Sequence, residues 1–308
     1  MMEQFETVFL TGAAGFIGRK TAEVLVRAGY GVIATDTVSP REPFLDGIEF
    51  YAADIRDIGL HAGKIAGRCQ SIVHCGGISG PMLLNDNPAE VLDINIRGTT
   101  QLLSLAEALK FRRFIAMSSV SAYGNATDLS AMDEDAALTA STFYGTSKAA
   151  TDLILQSFAE RRGLSAVALR IGWVYGPGRM TDALIQPIVR SALGKKYELA
   201  TGADHYLQFV HVDDVAEAIR IALAAPSLPK TAYNINGREF VRVGDMLEKI
   251  RHLLPQISAA IGTGLLQDTD VQGHMLIDAA KRDLGWEPAV SFDMGLAAYI
   301  DWLKEHPY

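Results

Sequence analysis

Two cysteines, Cys69 and Cys75, are all that this 308-residue chain carries. Neither stands in a spacing that closes a zinc site, and a disulfide-stapled scaffold is excluded. Positive charge is in the minority: Lys and Arg number 28 against 36 Asp and Glu, a net charge of −8. That argues against a surface for nucleic acid or an anionic membrane. No apolar run approaches the ~20 residues that cross a bilayer. There is no internal repeat and no low-complexity tract, and the first residues lead into an apolar strand with no secretory leader in view. Reduced thiols in a cytoplasmic protein are the expectation.

What is there begins at the segment Thr11-Gly12-Ala13-Ala14-Gly15-Phe16-Ile17-Gly18. It follows the apolar run Val8-Phe9-Leu10 and precedes an amphipathic run ending near Gly29. Strand, glycine turn and helix in that order suit a dinucleotide. Gly12 permits the tight turn, Gly15 lets N–H groups approach a pyrophosphate, and Gly18 lets the helix pack on the strand. The anion then meets the helix N-terminus, where unpaired N–H groups and the macrodipole favour negative charge. The spacing is G-x-x-G-x-x-G rather than the commoner G-x-G-x-x-G, so context matters. A second apolar run, Gly31–Thr35, ends in Asp36. An acid there accepts ribose hydroxyls and repels a 2′-phosphate, which favours NAD over NADP.

Apolar runs alternate with helical patterns through the first half. The expected strands are Thr7–Thr11, Gly31–Thr35, Ser71–His74, Arg113–Ser118 and Ala166–Ile171. The expected helices are Phe16–Ala28, Pro88–Leu109 and Tyr144–Glu160. This alternation predicts an α/β protein with a doubly wound parallel Rossmann sheet. Asp214-x-x-Glu217 reads as a capping box opening a helix that returns to the sheet. The expected division is a nucleotide domain over residues 1–171, rejoined by 206–229. Residues 172–205 and 230–308 make a smaller α/β substrate lobe over the strand C-termini.

Tyr144-Gly145-Thr146-Ser147-Lys148 puts Tyr144 and Lys148 one turn apart on one helical face. Ser118-Ser119 ends the preceding strand, so Ser119, Tyr144 and Lys148 converge at the sheet's C-terminal edge. Oxidising a carbinol requires removing its hydroxyl proton. A free tyrosine, pKa about 10, is a poor base near neutrality. A neighbouring ammonium favours the phenolate, which brings Tyr144 toward working pH.

With these motifs on the page, the chain resembles an extended short-chain dehydrogenase/reductase of the NAD-dependent epimerase/dehydratase family. The resemblance runs nearly end to end. It takes in Thr11–Gly18, Asp36, Asp54-Ile55-Arg56, His74-Cys75-Gly76-Gly77, Asn95-x-x-Gly98-Thr99, Ser118–Tyr123, Tyr144–Lys148, Leu169-Arg170, Val174–Gly178, Phe209–Asp214 and Leu284-Gly285-Trp286. It implies NAD as cofactor, held by Gly12, Gly15, Phe16, Ile17, Gly18, Asp36, Asp54, Ile55, Gly76, Gly77, Asn95, Ser118, Tyr144, Lys148 and Ile171. It implies Ser119, Tyr144 and Lys148 as catalysts, and a homodimer through the helices near Pro88 and Tyr144. His211 and Asp213 read as scaffold.

Departures from that family's pattern narrow the substrate. Members similar to this chain that act on nucleotide sugars commonly carry an arginine where Leu207 stands, and a leucine cannot grip a diphosphate. Sugar dehydratases carry an acidic pair where Val120 and Ser121 stand. The expected substrate is then a smaller sugar, sugar acid or polyol. It would be addressed by Ser79, Ser119, Tyr144, Trp173 and Arg179, with Arg179 gripping a carboxylate. Two alternatives stay open: a nucleotide-sugar epimerase, and a non-catalytic NAD-sensing protein.

Overall fold

The computed structural model describes residues 6–306 apart from 81, 82, 85, 127 and 268. The chain opens with β1 (Thr7–Thr11), α1 (Phe16–Arg27), β2 (Gly31–Asp36) and β3 (Ile48–Ala52). A short α2 (Ala62–Ile65) precedes β4 (Ser71–His74), α3 (Pro88–Leu92) and α4 (Gly98–Ala108). Then come β5 (Arg113–Ser119), β6 (Ala131–Met132), the long α5 (Phe143–Arg162), β7 (Ala166–Ile171) and β8 (Trp173–Tyr175). They are followed by α6 (Ile185–Arg190), β9 (Tyr197–Leu199), β10 (Tyr206–His211), α7 (Val212–Ala224) and β11 (Ala232–Ile235). The chain ends through β12 (Phe240–Arg242), α8 (Val243–Leu253), β13 (Ala259–Ile261), β14 (His274–Met275), α9 (Asp278–Leu284) and α10 (Phe292–Glu305).

Seven strands form one parallel sheet in the order β11-β7-β5-β4-β1-β2-β3. This is the doubly wound architecture that the alternation predicts. Its central strands are covered on both faces, as parallel sheets require. Along β1, Val8 and Leu10 enter one core cluster with Leu25 and Ile219, while Phe9 enters the other with Leu102 and Leu155. A third cluster, around Ile188, Phe209, Met246 and Leu296, forms the core of the C-terminal lobe. Small sheets β12-β10-β8 and β13-β9 belong to that side. Among the described residues no helix is long and apolar enough to cross a membrane.

Three expectations are corrected. The helix expected over Pro88–Leu109 is not continuous: a π-helical turn over Asp93–Arg97 separates α3 from α4. Such turns re-aim side chains inside a helix, and this one carries Asn95. The capping box at Asp214-x-x-Glu217 does not open its helix. The cap of α7 is His211, whose Nδ1 accepts from the Asp213 N–H at 3.3 Å. Asp214 is buried one turn inside, accepting the N–H groups of Ala289 (2.8 Å) and Val290 (3.1 Å), and Glu217 pairs with Arg220 instead. Finally, a boundary at residue 230 would cut β11 from the sheet, because β11 pairs with β7 from Ala232 to Ile235.

Candidate active site

The C-terminal ends of β1, β2, β4, β5 and β7 open onto one cavity of about 920 Å³. At one end stands the glycine turn. Gly12 has φ +69°, and a Cβ there would meet the Gly76 nitrogen at 2.4 Å. A Cβ on Gly18 would lie 2.0 Å from the Gly12 carbonyl oxygen. Gly15 caps α1 without any side-chain bond, and α1 has no acid in its first turn. The N–H groups of that turn are therefore free to meet an anion. Asp36, ending β2, accepts the Ala14 N–H at 3.0 Å and the Thr37 N–H at 2.7 Å. Asp54 lines the cavity beside Ile55 and is gripped by Arg56, whose guanidinium also reaches Glu90 and Asp93. A turn that a Cβ would fill, a bare helix N-terminus and a carboxylate beside them fit an adenine dinucleotide.

At the other end, β5 delivers Ser119 and the first turns of α5 deliver Tyr144 and Lys148, all three in the cavity wall. Thr142 caps α5 through the Gly145 N–H at 3.0 Å. The Lys148 Nζ donates to the Met117 carbonyl at 2.9 Å and sits 5.9 Å from the Tyr144 ring centre. Burial pulls the ammonium down to about 8, with Asp152 and Cys75 pulling the other way. Burial also pushes the Tyr144 phenol above its ordinary value, opposed by the Ser119 hydroxyl, the Gly80 backbone and the Arg179 charge. The expected lowering of Tyr144 by Lys148 is not what this geometry gives. The ammonium is turned to a β5 carbonyl and desolvation dominates.

All but one of the residues expected from sequence line this cavity: Gly12, Gly15, Phe16, Ile17, Gly18, Asp36, Asp54, Ile55, Gly76, Gly77, Ser79, Ser118, Ser119, Tyr144, Lys148, Ile171, Trp173 and Arg179. Asn95 is the exception. It is buried behind the wall, accepting the Ile78 N–H at 2.8 Å and donating to Ser147 Oγ at 2.8 Å. It ties the loop after β4 to α5 rather than meeting a ligand. Ser118 lines the wall, but its hydroxyl faces Asp152. His74, between Thr11 Oγ1 (2.7 Å) and Thr99 Oγ1 (3.0 Å), is held neutral: burial and then Lys148 pull it down to about 3. Cys75 is half-buried in the cavity wall rather than fully buried like Cys69.

The guanidinium of Arg179 donates to the backbone carbonyls of Thr181 and Val174 and stacks over Phe16 at 5.9 Å. Leu207 is fully buried in the lobe core and does not reach the cavity. Sequence reasoning missed Asp182, Gln186, Thr269, Asp270 and Gln272, which close the lobe end of the cavity. They lie in the lobe's loops and in α6, and no motif marks them.

A family model described as the NAD dependent epimerase/dehydratase family matches residues 8–236. The chain belongs to that family. NAD is its cofactor, and it is an enzyme of the extended short-chain dehydrogenase/reductase type. Among curated proteins, UDP-glucuronate 4-epimerase 2 of Arabidopsis thaliana is 25% identical, the alignment covering 96% of this chain and 75% of that protein. Among solved structures, UDP-glucose 4-epimerase of Thermotoga maritima, with UDP-glucose, is 25% identical at TM-score 0.87, covering 97% of this chain and 99% of that one. The dTDP-glucose 4,6-dehydratase of Streptomyces venezuelae, solved with NAD bound, is 26% identical at TM-score 0.88, covering 97% of each chain.

Proposed function

We propose that the protein transfers hydride between NAD and a carbinol of a carbohydrate-like small molecule: a sugar, sugar acid or polyol. The observation that carries this reading is the convergence of Ser119, Tyr144 and Lys148 on the cavity that also holds the glycine turn. When bound, NAD supplies the hydride acceptor and a positively charged ring. Gly12, Gly15 and the α1 N–H groups would hold its pyrophosphate, and Asp36 its adenosine ribose. The Tyr144 phenolate takes the carbinol proton, favoured by the Ser119 hydroxyl and the Arg179 charge; Ser119 also holds the carbinol oxygen, and Lys148 would meet the nicotinamide ribose. Ser79, Trp173 and Arg179 face the rest of the substrate, Arg179 meeting a carboxylate. Val120 and Ser121, which line the cavity next to Ser119, supply no carboxyl group for an elimination of water.

A second reading, epimerisation of a nucleotide sugar, is supported by the names of the relatives above. Against it stands the scarcity of cations for a diphosphate. Among the described residues the cations lining the cavity are Arg56, Lys148 and Arg179, and Arg56 is engaged by three carboxylates. The experiment that separates them follows NADH across a panel of uronates, aldonates, neutral sugars, polyols and nucleotide sugars. Net NADH with a small carbohydrate supports the first reading. Inversion of a nucleotide sugar without NADH release supports the second. We also propose a homodimer through the helices near Pro88 and Tyr144, on the second of which Phe143 is 50% and Leu153 55% exposed. Sedimentation of the purified chain tests it.

A further inference from the structure

Directly behind the proposed catalytic residues lies a buried ion pair that the mechanism above does not use. Asp152 follows Lys148 by four residues on α5, so the two share a helical face. Its Oδ2 accepts from Arg170 Nε at 2.8 Å, and the two side chains are 5% and 8% exposed. Arg170, from β7, is in turn held by the Tyr123 hydroxyl (2.8 Å) and the Glu134 carbonyl (2.8 Å). Tyr123 donates onward to Asn234 Oδ1 at 2.7 Å. The Ser118 hydroxyl faces Asp152 from β5, while Lys148 grips the carbonyl of the adjacent Met117. One turn of α5 thus holds β5 through Lys148 and β7 through Asp152, immediately behind Ser119.

We propose that Asp152 is a positioning residue for the reaction: anchored by Arg170, its buried carboxylate ties α5 to β7 and places a negative charge one turn from Lys148. The proposal rests on the reading of Tyr144 and Lys148 given above. A buried pair of this kind is a poor source of stability, because desolvation offsets its attraction. It is a good source of a fixed charge.

The groups around the site are few. Lys148 is faced by Asp152 from its own helix and by Cys75 beyond β4, and its charge reaches His74 on β4. Asp152 is faced by Arg170 from β7, Ser118 from β5 and Lys148. Tyr144 feels Ser119, Arg179 and Asp152. Burial raises the Asp152 carboxyl above its ordinary value, and the always-charged guanidinium at 2.8 Å opposes that by favouring the carboxylate. Its negative charge favours the Lys148 ammonium and disfavours the Tyr144 phenolate. Removing it therefore moves both titrations toward acid.

The test is Asp152→Asn, with NAD affinity and melting temperature as checks on folding. In cofactor-free protein, the Lys148 titration followed by ¹³Cε-lysine NMR is expected to fall by about one unit. Both limbs of the pH–rate profile should shift the same way. Asp152→Glu, which keeps the charge, leaves the limbs in place. If the unpaired Arg170 prevents folding, Asp152→Asn combined with Arg170→Met removes both charges. The Lys148 midpoint still falls, because, of the pair, it is the Asp152 charge that bears on it. A folded Asn variant, or a folded double variant, whose Lys148 midpoint and rate limbs match the wild type would overturn the proposal. Failure of the wild type to reduce NAD with any substrate would instead remove the reading of the reaction, leaving the NMR result to stand alone.

Discussion

Gly18 of α1 lies against the carbonyl oxygen of Gly12, so closely that a Cβ at position 18 would come within 2.0 Å of it. The obstacle is backbone, which cannot rotate away. The helix N-terminus sits where it does because residue 18 has no side chain. Gly18→Ala is expected to destabilise the fold by about 1–3 kcal/mol and to weaken NAD at least tenfold by lifting α1 from the turn. A thermal melt and an NAD titration measure the two effects. Unaltered affinity would detach the turn from the cofactor.

Asp36 spends one oxygen on the Ala14 N–H and the other on the Thr37 N–H. It fixes the glycine turn and keeps negative charge where a 2′-phosphate would lie. Asp36→Ala should weaken NAD by roughly 10- to 100-fold while NADP loses little or gains. Parallel titrations of the two cofactors give the ratio, and an unchanged ratio would contradict this role.

Lys148 is a buried cation whose folded value, about 8, lies below the ordinary lysine value of 10.5. Between those values the unfolded chain binds the extra proton, so this residue's contribution to stability rises with pH. Its cost is fully present below pH 8 and is relieved as pH climbs through 8 toward 10.5. Lys148→Met is expected to be more stable than wild type at pH 7, on the order of 2 kcal/mol, and inactive. The gap in stability should close above pH 8. Paired denaturant titrations at pH 7 and pH 10 read this. A gap that widens with pH would mean that the ammonium is stabilising where it sits.

Arg179 offers its guanidinium at the cavity wall, held by two backbone carbonyls. Arg179→Ala should raise KM for an acidic substrate at least tenfold, the loss of one charge-assisted bond, with a smaller effect on a neutral one. Steady-state kinetics on a uronate and its parent sugar make the comparison. Equal KM values in variant and wild type would sink the carboxylate assignment.

The strands were legible where burial is two-sided. The middles of β1 and β4, Val8-Phe9-Leu10 and Ile72-Val73, are apolar and fully buried because both faces are covered. β3 was not, because it is an edge strand with Glu49 exposed and Ile48 and Phe50 half-covered. β11 was hidden by Asn234, a polar residue at its centre, fully buried because Tyr123 and Glu134 satisfy it across the fold. Tyr144 and Lys148 were legible because spacing on one helix sets their geometry, and Ser119 because its strand ends where that helix begins, at the sheet's C-terminal edge. Asp182, Asp270 and Gln272 reach the cavity only through the packing of the lobe, which no short window of sequence encodes. Asn95 lies behind the cavity wall rather than in it, because the π-helical turn aims it at Ile78 and at Ser147 of the central helix.

Tyr144→Phe is the most direct test. It deletes one oxygen from a buried ring and leaves the glycine turn, Asp36 and Lys148 in place. With a substrate that the wild type oxidises, NADH formation is expected to fall by at least about 10²-fold, with NAD affinity within twofold of wild type. NADH formation at the wild-type rate in the phenylalanine variant would contradict Tyr144 as the proton acceptor, and with it the proposed reaction.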